Sequence, residues 1–111
     1  MERRETGATA RERFEEIAEE LAGGGVVQGR MMGMPCLKVG SKMFAGLYGD
    51  DMTFKLGGPD HGEALALPGA RLFDPSGQRP MKEWVQVPVE HVSRWRDLAE
   101  RALRYVAGRP A

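Results

Sequence analysis

Apolar and polar residues first alternate with helical spacing. Phe14, Ile17, Ala18 and Leu21 stand at i, i+3, i+4 and i+7, with Glu15, Glu16, Glu19 and Glu20 between them. That spacing puts one apolar stripe on a helix and the acids on its outer side. Thr9-Ala10-Arg11-Glu12 has the form of a capping box, which predicts a start at Thr9. Gly23-Gly24-Gly25 then ends the helix, because glycine accepts the left-handed conformation that follows a last turn. Beyond the glycines the period shortens to that of strands: Val26 to Met31, Cys36 to Val39, Lys42 to Tyr48 and Met52 to Leu56. Asp60 to Leu67 reads as a short helix, Ala70 to Phe73 as extended, and Glu83 to Val87 as a last strand. From Pro88 to Ala107 the chain is helical, with Val92, Trp95, Ala99, Ala102, Leu103 and Val106 as its buried stripe and Ser93 placed to cap it anew. The order predicts an α+β fold: a curved, largely antiparallel sheet of five to six strands, with the N-terminal and C-terminal helices packed on one face.

Strand parity sharpens this picture. Gly40-Ser41 is a two-residue hairpin loop, so Val39 should face Lys42, and Leu37 should face Phe44. A three-residue Gly49-Asp50-Asp51 loop would set Tyr48 against Met52. One face then collects Leu37, Val39, Phe44, Gly46, Tyr48, Met52, Phe54 and Leu56, and the helices should cover it. Cys36, Lys38, Met43, Ala45, Leu47, Thr53 and Lys55 fall on the other face. Within that second set Cys36, Met43, Ala45 and Leu47 form an apolar island ringed by lysines, and an exposed island of this kind predicts a protein contact such as a homodimer.

Composition narrows the function classes. A chain of 111 residues holds one hydrophobic core; the expected domain spans 9–107, with tails at 1–8 and 108–111. Sixteen basic and sixteen acidic residues cancel, which disfavours a nucleic-acid module, whose charge normally shows in the total. The charge is uneven, however. Residues 1–22 carry four basic and seven acidic side chains, net −3, while residues 89–111 carry five and three, net +2. First and last helices would therefore attract if they packed together. Arg outnumbers Lys twelve to four and Asn is absent, a bias we read as that of a GC-rich bacterial genome. No apolar segment follows Met1 as in a secretory signal, and no run approaches the roughly 18 residues of a membrane span. The expectation is a cytoplasmic protein without a membrane partner.

Catalytic motifs are few. The sequence holds no phosphate loop and no dinucleotide fingerprint, and Ser41, Ser76 and Ser93 stand outside any nucleophile elbow. Cys36 alone cannot form an intramolecular disulfide or a multi-cysteine zinc site. His61-Gly62-Glu63 has the spacing of the zinc deaminases but lacks a paired-cysteine motif downstream. The reading is no metal, no cofactor and no catalytic residue. Cys36 is half-buried filler beside Lys38, and Asp50-Asp51 is turn chemistry. A basic cluster remains. Arg30, Lys38 and Lys42 from the early strands and Arg79 and Lys82 from the late loop could converge beside Trp84. Such a groove would hold a phosphate or an acidic partner.

Arg30-Met31-Met32-Gly33-Met34, followed by Val39-Gly40-Ser41-Lys42-Met43-Phe44-Ala45, resembles the amino-terminal domain of the TfoX (Sxy) family. Arg79-Pro80-Met81-Lys82-Glu83-Trp84 and Val87-Pro88 resemble that family's later Pro-Met, aromatic and Val-Pro stretch. Met32 stands where the family usually has Phe, and Met34-Pro35 follows the glycine. The likeness spans roughly residues 10 to 107. It implies helices on a curved antiparallel sheet and a non-enzymatic regulatory or protein-interaction role. Named family members regulate DNA-uptake competence with a cyclic-AMP-responsive activator and usually carry a second, helical domain. The resemblance thus implies a transcription-regulator partner. Two alternatives stand beside it: a nucleic-acid-binding domain using the basic cluster, and a small ligand-binding protein or enzyme with a pocket near Cys36.

Overall fold

The computed structural model describes residues 7–108. Of the expected tails at 1–8 and 108–111, residues 1–6 and 109–111 lie outside the described residues, and Ala8 already belongs to the first helix. Helix α1 (Ala8–Leu21) leads through a short 3₁₀ turn into strands β1 (Val26–Met31), β2 (Met34–Val39), β3 (Lys42–Tyr48) and β4 (Asp51–Lys55). Helix α2 (Gly58–Leu65), strands β5 (Arg71–Phe73) and β6 (Met81–Val87), a 3₁₀ turn and helix α3 (Trp95–Ala107) complete the chain. All six strands join one sheet in the order β1-β2-β3-β4-β6-β5, and every neighbouring pair is antiparallel. This is the expected α+β architecture, with an open sheet.

The helices supply the apolar stripes that the periodicity placed. Phe14, Ile17, Ala18 and Leu21 of α1 meet Trp95, Ala99, Ala102 and Val106 of α3 in one core with Leu37, Phe44, Met52, Phe54 and Leu56 of the sheet. Among the described residues the opposite charges of the two helices meet where Arg96 Nη1 lies 2.6 Å from Glu20 Oε1. The start of α1 departs from the capping-box expectation. Ala8 opens the helix, Gly7 is its N-cap, and no side chain within the first turn caps it. The Asp50 carboxylate, far along the chain, accepts the Gly7 N–H instead. Arg94, rather than Ser93, precedes α3 as its N-cap.

Register decides which side chains share a face. Val39 pairs with Lys42 and Lys38 with Met43, as the two-residue loop requires. A β-bulge then intervenes: Leu37 pairs with Ala45, leaving Phe44 as the extra residue. Two residues of a bulge oppose one on the partner strand, so the alternation shifts by one from that point. Phe44 and Ala45 are both fully buried in the helix-covered core. The next turn contains two residues, not three, so Tyr48 pairs with Asp51 and Leu47 with Met52.

These two irregularities dissolve the expected interaction face. Ala45 and Leu47, placed by simple alternation on the outer side, lie at 0% and 1% exposure under the helices. Cys36 and Met43 remain on the opposite side, in a second cluster with Met31, Met34, Phe73, Trp84 and Met81. The four residues therefore never form one plate. Gly46 and Tyr48 move the other way, out of the expected core face. Phe54 keeps its expected side because the bulge and the shorter turn compensate, leaving it in one core with Phe44.

Candidate functional site

The second face of the open sheet is curled enough to bring distant strands to one cavity. Neighbouring strands sit about 4.8 Å apart, so β3 and β5, with β4 and β6 between them, would be roughly 14 Å apart in a flat sheet. Yet the rings of Tyr48 and Phe73 meet edge to face with centroids 5.0 Å apart. Curling brings Met31 of β1 within reach of Met81 and Trp84 of β6, four places along the sheet, and all three line one cavity.

This cavity measures about 380 Å³, near the lower end of the roughly 300–1,000 Å³ common for small-molecule sites. Met31, Met43, Met81, Trp84 and Val106 supply its apolar wall, and Lys42 and Lys55 its charged part. Each position follows from the local fold. Lys42 opens β3 after the tight Gly40-Ser41 turn, and Lys55 pairs with Trp84 across β4 and β6. Lys55 Nζ lies 3.6 Å from Glu83 Oε1. The Tyr105 hydroxyl donates to the other oxygen of Glu83 at 2.7 Å, which ties the last turn of α3 to this end of the sheet. Behind the cavity Met34 lies over Gly46, where a Cβ would come within 2.5 Å of the Met34 methyl. Methionine side chains are flexible and polarizable and adapt to varied apolar partners. A wall of methionine and tryptophan with two ammonium groups suits an apolar group that carries a negative charge.

No family model, curated protein or solved structure matches this chain.

Of the six residues expected to form a basic, aromatic-flanked groove, the structure brings Lys42 and Trp84 to the cavity and leaves the others elsewhere. Arg30 donates from Nη1 to the Gly33 carbonyl at 2.7 Å, clamping the β1–β2 turn. The aliphatic stem of Lys38 lies across Gly29, within 3.2 Å of where a Cβ would stand. Arg79 is exposed in the loop before β6, its backbone N–H directed to Asp74. Lys82 is exposed, and its carbonyl accepts a hydrogen bond from His61 Nε2 at 2.9 Å. Trp84 is packed, at 6% exposure. No single basic groove results.

Cys36 sits in the same cluster of side chains but outside the cavity lining. Burial pushes its thiol above the ordinary value; the charge of Lys38 and a backbone hydrogen bond from Gly29 offset this in part. A thiolate nucleophile needs the opposite environment. The remaining chemical candidates have structural work. His91 Nε2 lies 2.8 Å from the Pro68 carbonyl oxygen, and Asp51 accepts a 2.7 Å hydrogen bond from Gln86. Among the described residues no group of three or more His, Cys, Asp or Glu could hold a metal ion, and no helix is long and apolar enough to cross a membrane.

The sequence reading did not bring Met31, Lys55, Met81 and Val106 to the site. One signal pointed toward them: seven methionines in 111 residues, four of which the fold gathers on the curled face. What brings β1 to β6 is the curl of the sheet, which no local pattern encodes.

Proposed function

We propose that this protein is a non-catalytic binding domain of the TfoX amino-terminal kind, and that it takes a small amphipathic anion into the methionine-lined cavity. The observation carrying this reading is the convergence of Met31, Met43, Met81 and Trp84 with Lys42 and Lys55 around one 380 Å³ space. Of the alternatives drawn from sequence, the ligand pocket near Cys36 gains most, because that space borders the Cys36 cluster. A contact through Cys36, Met43, Ala45 and Leu47 loses its surface, and a nucleic-acid interface loses its convergence. The resemblance to TfoX supplies the regulatory setting: ligand occupancy would be the signal, and a transcription regulator or a second copy its recipient.

The direct test uses protein labelled with carbon-13 in its methionine methyl groups and titrated with octanoate, with octylamine as the cationic control. Octanoate should shift Met31, Met43 and Met81 and leave Met52, which lies in the helix-covered core, in place. Octylamine should bind at least tenfold more weakly. Silence of the three cavity methyls, or equal response to both probes, would refute the proposal.

A further inference from the structure

A second site lies at the free edge of β1, the strand whose last residue, Met31, lines the cavity. β1 is the terminal strand of the sheet and pairs only with β2. Met31 and Met34 flank a two-residue turn, which makes them a hydrogen-bonded pair. Alternation then turns the amides and carbonyls of Val26, Gln28 and Arg30 away from β2, toward the free edge. Natural edges are commonly blunted by proline or by charged side chains; β1 contains no proline, and its one charge, Arg30, is engaged by the Gly33 carbonyl at 2.7 Å. Val27 on this strand is 55% exposed, one of the few large apolar side chains left in solvent.

Alongside the edge runs a groove of about 520 Å³ between α1 and β1. It is lined by Ala18, Ala22, Val26, Val27 and Gln28, and its rim is acidic, formed by the exposed Glu15, Glu16 and Glu19; Gln28 Nε2 donates to Glu15 Oε1 at 3.0 Å across it. Arg11 and Arg13 pair with Glu15 and Glu16 along α1. Even so, the helix holds five acidic residues against two basic ones.

We propose that this groove receives an extended basic segment of another protein, added to the sheet beside β1. The free amides and carbonyls supply strand pairing. The acidic rim selects lysine or arginine on the α1 side of the added strand, and the floor and Val27 favour aliphatic residues among them. A second copy of this chain is a poor occupant, since pairing β1 with β1 would bring two sets of Glu15, Glu16 and Glu19 together. Like charges so placed suppress association.

The test is fluorescence anisotropy with a labelled heptapeptide of alternating lysine and valine, and a control of equal charge alternating lysine and proline. Proline cannot donate to a strand ladder, so the control retains the electrostatics alone. The lysine–valine peptide should bind at least tenfold more tightly than the control, and should weaken at least tenfold when salt is raised. Glu19→Lys, an exposed substitution, should reduce binding about tenfold without altering the melting temperature. Gln28→Pro, which removes an edge amide together with the Gln28–Glu15 hydrogen bond, should reduce binding at least as much. Equal affinity for both peptides would overturn the proposal, as would absence of binding, full affinity in Glu19→Lys, or a stable dimer that occludes the edge.

Discussion

Gly46 is the residue at which the curled face is tightest. A Cβ there would approach the Met34 methyl at 2.5 Å, Thr53 Oγ1 at 3.2 Å and the Pro35 carbonyl oxygen at 3.4 Å. The methionine can swing away, but the threonine and the backbone carbonyl are fixed by the ladders on either side, with Thr53 Oγ1 3.4 Å from the Gly46 carbonyl. Gly46→Ala should therefore destabilise the fold by about 1–3 kcal/mol, as overpacking does, and should displace the Met34 methyl resonance. A urea midpoint equal to that of the parent would show that this face is looser than described. Met32 presents a different kind of tension. It adopts φ 51°, followed by Gly33 at φ 82°, in the turn between β1 and β2. Positive values at both central positions are the signature of a turn that favours Asn-Gly. Met32 is also 63% exposed. The strain is accepted where a large apolar side chain is displayed at a hairpin tip.

At the scale of elements, α2 and α3 are joined by charge as much as by packing. Arg101 Nη1 lies 2.9 Å from Asp60 and 3.1 Å from Glu63, while its Nε is 3.1 Å from Asp97. Arg94 reaches Glu63 at 3.0 Å. The hydrogen bonds from Arg101, then from Arg94, hold the Glu63 carboxyl below its ordinary value of 4.5. A carboxyl lowered in the folded state contributes stability above its unfolded value and loses it as pH falls through the folded one. Glu63→Gln should consequently flatten the acid limb of a stability profile as pH falls below the ordinary carboxyl value, leaving smaller differences among urea midpoints than the parent shows. An unchanged acid limb would mean that solvent screens the pair completely.

Element boundaries were largely legible in the sequence because they rest on short-range chemistry: glycine after α1, the Gly40-Ser41 loop, Pro88 before the last helical region. Face assignment was less so. The bulge at Phe44 arises because Phe44 and Ala45 both fill space under the helices, a tertiary demand that simple alternation cannot express. The cap at Gly7 was hidden for a similar reason, since its acceptor is Asp50, a residue read correctly as belonging to a turn but recruited across the fold. For the candidate site, Lys42 and Trp84 were found by their types. Lys55 and Met31 were assigned to strands and Met81 was left before the last one, without any means of knowing that β1 and β6 would face one another.

Whole-molecule shape follows from two opposed demands on one sheet. The helices cover one face with a large core, whose Trp95, Phe14, Phe44 and Phe54 are among the largest fully buried side chains. Of the helices only the last turn of α3, through Val106, reaches the cavity on the other face, yet that face carries Cys36, Phe73 and Trp84 at 6% exposure or less. An antiparallel sheet can meet that demand by curling until its own strands cover one another, at a cost in ladder regularity. The ladder breaks appear where the curl requires them, at Leu37/Lys38 between β2 and β3 and at Leu72/Phe73 between β5 and β6. Phe73 is then the clasp: fully buried on a strand of three residues, packed on Tyr48 across the curl. Phe73→Ala should cost about 3–5 kcal/mol, the range for truncating a buried aromatic. The loss should fall on the curled side first. Trp84 should become open to acrylamide quenching while Trp95, packed beneath the helices, stays protected, and octanoate should lose affinity as the cavity wall spreads. If both tryptophans opened together, the two sides of the sheet would be one cooperative unit, and the cavity would owe its shape to the helical core and not to the clasp.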